Sequence, residues 1–172
     1  MAKNLDQALE NVEMTYQQLV DIANEITTPL FNCINTTIDD VVANINNMTA
    51  DMISKYILDV STKTYRLSEI KDKAILKQQC AETLREEKYS QELLTIEGKV
   101  DEKKSQASLN SSEETLVEML YTMVASALKT KIDEGHRIVG SLQSVLMFKL
   151  AEMKQAQTYT VGTPDDVTFI RE

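Results

Sequence analysis

His136 is the single histidine of the chain, and Asp133 stands three residues before it. On a helix that spacing puts a carboxylate and an imidazole on one face, the unit from which di-iron carboxylate bundles are built. Those bundles need the unit twice, with further inward-facing glutamates. No second histidine exists, so His136 reads as an ordinary surface or interhelical histidine. The same histidine would have to serve any Ser–His–Asp or Cys–His hydrolase, and no nucleophile is arranged beside it. Carboxylates cluster at Glu86-Glu87 with Glu92 and at Glu113-Glu114 with Glu118. Neither cluster has the EExxE spacing by which all-α nucleotide pyrophosphatases hold magnesium. Glu113 and Glu114 fit better as favourable charges in the first turn of a helix. The glycines at 98, 135, 140 and 162 form no phosphate loop, and Cys33 and Cys80 form no metal-type pair. The expectation is a non-enzymatic chain with no catalytic, cofactor or metal site.

The elements behind these residues are written far more strongly than any chemistry. Leu5, Leu9, Val12, Tyr16, Leu19, Ala23 and Ile26 alternate steps of four and three, which keeps one helix face pointed at a partner helix. Thr28-Pro29 predicts a break or kink, because proline lacks the backbone donor and disfavours helix at the residue before it. A second series follows through Leu30, Ile34, Ile38, Val41, Ile45, Met48 and Met52. Its many Thr and Asn residues lower helix propensity and place a break near Asn46–Thr49.

From Asp51 to about Lys104 the sequence predicts a long helix that either extends or folds back at a turn. Residues 101–112 (DEKKSQASLNSS) read as a linker, and Ser111-Ser-Glu-Glu114 as a capping box opening the last helix. That helix carries Val117, Leu120, Val124, Leu128, Ile132, Val139, Leu142, Leu146, Leu150 and Met153. Gly135 and Gly140 inside it predict a kink or a close helix crossing rather than a full turn. The residues from Thr158 on change character: Thr158-Tyr-Thr-Val161 and Val167-Thr-Phe-Ile170 flank Gly162-Thr-Pro-Asp-Asp166 as a strand–turn–strand.

The expected fold is therefore all-α: an elongated helical bundle or coiled coil with long antiparallel helices and a short hairpin-like tail. The bundle would span 1–157 and the tail 158–172. Leu5, Leu9, Val12, Leu19, Ile26, Leu142, Leu146 and Met153 are the expected helix-packing residues. Tyr159, Val161, Val167, Phe169 and Ile170 are the expected tail contacts.

Composition agrees. The 172 residues are 42% hydrophobic but include only four glycines, two prolines and no tryptophan, so the core must be aliphatic. Cys33 and Cys80 each fit an apolar helical position, predicting reduced core thiols and a reducing compartment. The start is charged and amphipathic, and no run approaches a membrane span. A cytoplasmic or virion protein is expected.

Net charge is −9, unevenly spread: residues 1–60 carry nine acids and two bases, residues 61–105 nine and ten. The acidic first third would be repelled by phosphate. Only the middle offers a basic stripe, through Lys63, Arg66, Lys71, Lys73, Lys77, Arg85 and Lys88, with acids interleaved.

Gly162-Thr-Pro-Asp-Asp-Val167, following a helix that ends Met153-Lys-Gln, is similar to the tail after the helical core of small terminase subunits of tailed phages. That resemblance implies a phage assembly or packaging component. The leading expectation is a structural or assembly subunit acting on protein partners, as a homo-oligomer or in a larger assembly. An oligomeric nucleic-acid accessory protein using Lys63, Arg66, Lys71, Lys77 and Arg85 is one alternative, and a helical regulator of a larger protein is another.

Overall fold

The computed structural model describes residues 2–160, and the side chains of residues 12–156. Four helices occupy nearly all of this: α1 (Ala2–Asn44), α2 (Ala50–Thr95), α3 (Val100–Asn110) and α4 (Ser112–Thr160). No strand occurs among the described residues. At 1.5 Å per residue, each of the three long helices extends about 65–75 Å.

The expected end of the first helix at Thr28-Pro29 is not where it stops; α1 runs through Pro29 to Asn44. One missing donor removes one ladder bond, and side chains on both sides of it pack on the same neighbours. The true reversal lies where Asn density predicts a break. A single 3-10 turn, Ile45–Asn47, leads to Thr49, whose hydroxyl accepts from the Met52 N–H at 3.3 Å and caps α2.

Residues 101–112, expected as a linker, form α3 instead. The chain reverses earlier, at 96–99, where Gly98 adopts φ 138°. That backbone region is open to glycine at little cost. The Glu102 carboxylate accepts from the Lys99 N–H at 3.3 Å and closes the start of α3. Only Ser111 separates α3 from α4. Its hydroxyl donates back to the Ala107 and Ser108 carbonyls, so it finishes α3 and does not form the expected capping box. Glu114 turns to α2 instead.

Register follows from a few contacts. Asn110 meets Glu92, Glu114 meets Lys88 and Glu118 faces Arg85, so α3 and α4 together run back antiparallel along α2. α1 runs parallel to α4, with Tyr16 and Leu19 level with Leu116 and Met119, and Ile34 level with Gly135.

Buried positions recur at sevens: Thr27, Ile34, Val41 and Met48 in and after α1, then Ile53, Val60, Leu67, Ala74 and Ala81 in α2. That is coiled-coil spacing. The main core joins Ile34, Val60, Leu67, Val124 and Leu128; a second, near the α1–α2 turn, joins Val41, Met48, Ile53 and Leu142.

α4 is unbroken through both glycines. At Gly135 the helices cross closely: a Cβ there would lie 2.4 Å from Thr64 Oγ1 and 3.3 Å from Ile34 Cδ1, whereas one at Gly140 would meet nothing. Cys33 and Cys80, expected in the core, are both free and exposed. They sit on α1 and α2 beside the buried sevens rather than in them. The hairpin expected from Thr158 does not start there, because Thr158–Thr160 complete the last turn of α4. The rest of the expected tail lies outside the described residues.

Candidate functional site

The residues with chemical potential do not converge. His136 and Asp133 are exposed on α4. Among the described residues, no three His, Cys, Asp or Glu side chains gather as a metal site requires. Glu86, Glu87 and Glu113 are exposed, while Glu92 accepts from Asn110 Nδ2 at 2.7 Å.

The basic stripe is largely engaged between helices. Lys63 Nζ lies 2.7 Å from Asp59 Oδ2 and donates to Thr37 Oγ1 at 2.5 Å. Thr37 in turn donates to Asp59 Oδ2 at 3.0 Å, closing a triangle that ties α1 to α2. Lys63 holds the Asp59 carboxyl below its ordinary range, with the Thr37 hydroxyl adding to it against partial desolvation. Beside the triangle, Tyr56 donates to Asp40, which raises the phenol's pKa.

Further along α2, Lys77 sits over the Tyr121 ring, 5.0 Å from its centroid. Arg85 Nε lies 3.0 Å from Glu118 Oε2, an ion-pair distance, but its N–H is not aimed for a hydrogen bond. Lys88 Nζ donates to both oxygens of Glu114 at 2.8 and 3.1 Å. That contact raises the Lys88 pKa and lowers that of Glu114. Lys71 lies 3.4 Å from Asp72. Of the stripe residues named for a nucleic-acid face, Arg66 alone makes no ion pair or hydrogen bond among the described residues, and it is exposed at a groove with Cys33 and Ile70.

The expected packing residues divide. Leu19 and Leu142 are buried and Leu146 is half-buried. Val12 (67% exposed), Ile26 (37%) and Met153 (55%) are open to solvent. Leu5 and Leu9 lie on α1, before the described side chains. Ile26 turns outward because Thr27 takes the buried position seven residues before Ile34.

The open apolar residues assemble into a groove that sequence reasoning placed on α1 alone. Val12, Thr15, Tyr16 and Leu19 of α1 face Leu116 and Met119 of α4 across a cavity of about 320 Å³. Leu116 and Met119 were missed in the sequence because they lie to one side of the main α4 stripe. A second open patch lies where α4 passes the α1–α2 turn. There Lys149 donates to the Met48 carbonyl, and Met48, Ala50, Glu152 and Met153 line a shallow cavity.

The described helices and this groove define an all-α helical bundle with an unfilled apolar seam. No protein-family model, curated protein or solved structure matches the chain. No helix among the described residues is long and apolar enough to cross a membrane.

Proposed function

We propose that this chain is a non-enzymatic helical subunit of a protein assembly, working by packing its helices against other protein surfaces. The observation that carries this is the groove between α1 and α4. Tyr16 (58% exposed) and Met119 (51%) flank it, and Val12 and Tyr16 stand on the α1 stripe whose heptad spacing calls for a helical partner. Contiguous apolar surface of this kind marks interaction sites. A nucleic-acid role gains less support, because most of the cations that would form its face, Lys63, Lys71, Lys77 and Arg85, are held by Asp59, Asp72, Tyr121 and Glu118.

Light scattering after size exclusion tests the reading. The wild type should run as a defined multimer. Tyr16→Glu with Met119→Glu, both exposed and so compatible with folding, should return it to 19.4 kDa. A wild type that is monomeric at all concentrations, with no stoichiometric protein partner, would sink the proposal.

A further inference from the structure

Three glycines lie among the described residues, and two of them have a reason inside the chain. Gly98 takes a backbone turn at φ 138°, and Gly135 passes close over Thr64. Gly140 has neither: it lies within α4, and a Cβ there would meet nothing. A glycine inside an exposed helix costs about 1 kcal/mol against alanine, so Gly140 weakens the single chain without relieving any contact in it. Its surroundings are equally open. Ser141, Ser144, Met147 and Phe148 share the outer face of α4 with it, turned away from buried Leu142. Met147 is 71% exposed and Phe148 65%. The Ser141 hydroxyl donates to the Arg137 carbonyl at 3.0 Å and the Ser144 hydroxyl to the Gly140 carbonyl at 3.1 Å. Both donors are thus satisfied within the helix, and covering the face strands neither.

The order of side-chain sizes along this face is symmetric about Ser144. Two small residues, Gly140 and Ser141, precede it by four and three positions, and two large ones, Met147 and Phe148, follow it by three and four. We propose that this face pairs with the same face of a second copy, the two α4 helices crossing antiparallel on a two-fold axis at Ser144. In a two-fold interface the same patch meets itself reversed. Met147 and Phe148 of each helix then lie over Gly140 and Ser141 of the other, and the absent Cβ at Gly140 lets the backbones approach. Charge follows the same symmetry. Arg137 and Glu152 stand seven and eight positions from the axis on opposite sides of it, exposed and without an ion pair among the described residues. The antiparallel crossing brings Arg137 of each copy beside Glu152 of the other, whereas a parallel one would set Arg137 against Arg137 and Phe148 against Phe148. A single crossing of this kind stays below the roughly 1,200 Å² that specific complexes bury. It therefore acts together with the α1–α4 groove, each contact raising the effective concentration of the other.

This pairing presupposes the assembly proposed above and is tested apart from it. Full-length chains lacking both native thiols (Cys33→Ser, Cys80→Ser) receive one new cysteine and are oxidised. One variant carries Ser144→Cys; the other carries Ser126→Cys, exposed on α4 far from the axis. A two-fold at Ser144 brings the thiols of the first variant together, so its interchain disulfide should form more than about tenfold faster than that of the second. Gly140→Leu, at a position open in its own chain, should slow that bond by at least as much. Arg137→Glu or Glu152→Arg alone should slow it severalfold, and the two together should restore it. A multimer by light scattering in which thiols at 144 and 126 link equally slowly overturns the crossing and leaves assembly standing. A 144 disulfide indifferent to Gly140→Leu overturns the close seat, and a double charge reversal that fails to rescue overturns the antiparallel register. A strict monomer overturns pairing and assembly together.

Discussion

Gly135 is where α4 passes so close over Thr64 of α2 that a Cβ would lie 2.4 Å from its Oγ1. The Thr64 hydroxyl beneath it is buried and donates to the Val60 carbonyl at 2.7 Å, so it cannot swing aside without losing its partner. Gly135→Ala should therefore destabilise by about 1–3 kcal/mol despite alanine's better helix propensity. Adding Thr64→Ala should recover most of that loss, since the new methyl then occupies the hydroxyl's space. Gly140→Ala meets nothing and should stabilise by up to about 1 kcal/mol. Urea melts of the four proteins check this opposition of sign; equal effects at 135 and 140 would refute the close crossing. The Asp59 and Glu114 carboxyls are both held low by lysine partners. A depressed carboxyl adds stability above its unfolded pKa and loses it as pH falls through the folded value. Melting temperature should thus fall from about pH 4 downward, and Asp59→Asn should flatten that fall. The Asp59 side chain is 47% exposed, so its share stays below about 1 kcal/mol.

At the scale of elements, the turns rather than the helices decide the architecture. Gly98 carries the reversal between α2 and α3 at a φ that side chains rarely adopt, and a Cβ there would also approach Glu102 Oε2 to 3.2 Å. Gly98→Ala should cost about 1–2 kcal/mol and loosen amides of 96–110 before those of 53–74, as hydrogen exchange would report. The long helices were legible because heptad spacing is a periodic signal carried by many residues: Ile53, Val60 and Leu67 announce α2 without help. The break at Asn46–Thr49 was legible for the same reason, since several weak helix formers coincide. The break allowed at Pro29 does not occur because a single local signal is set against packing on both sides of it; Ala23 before it and Leu30, Ile34 and Ile38 after it pack on the same core. α3 was misjudged because its sequence lacks an apolar stripe. Only Ala107 is buried in it, and its helix depends on Gly98, Glu102 and Asn110 meeting α2. The apolar groove was half legible: Val12 and Tyr16 stand on the α1 stripe, but no pattern in one helix reveals that Leu116 and Met119 lie opposite.

On the scale of the whole molecule, stability should be graded along the bundle. α2 buries Ile53, Val60, Thr64, Leu67, Ala74 and Ala81, and α4 answers with Val124, Leu128, Ile132 and Leu142. These two helices share an uninterrupted seam about 50 Å long, reading from Ile53 to Ala81 and on to Lys88 at 1.5 Å per residue. α1 adds to that seam through Leu19, Ala23 and Thr27 before Pro29 and Ile34, Thr37 and Val41 after it, and the Asp59 triangle adds a polar tie to α2 in the second half. Native-state amide exchange opens proteins in cooperative units, from nearly free segments up to the global unfolding energy. The amides of 53–74 and 124–142 should therefore exchange only through global unfolding, and those of 30–44 close to it. Residues 12–28 should exchange through a lower-energy opening, protected by several kcal/mol less under conditions that keep the chain monomeric. Raising protein concentration should then protect 12–28 selectively if these residues are covered by a second copy, because association stabilises only the segment it buries. Uniform protection across all three helices at low concentration would show that α1 is bound into the core along its whole length. The groove would then present one fixed shape to any partner.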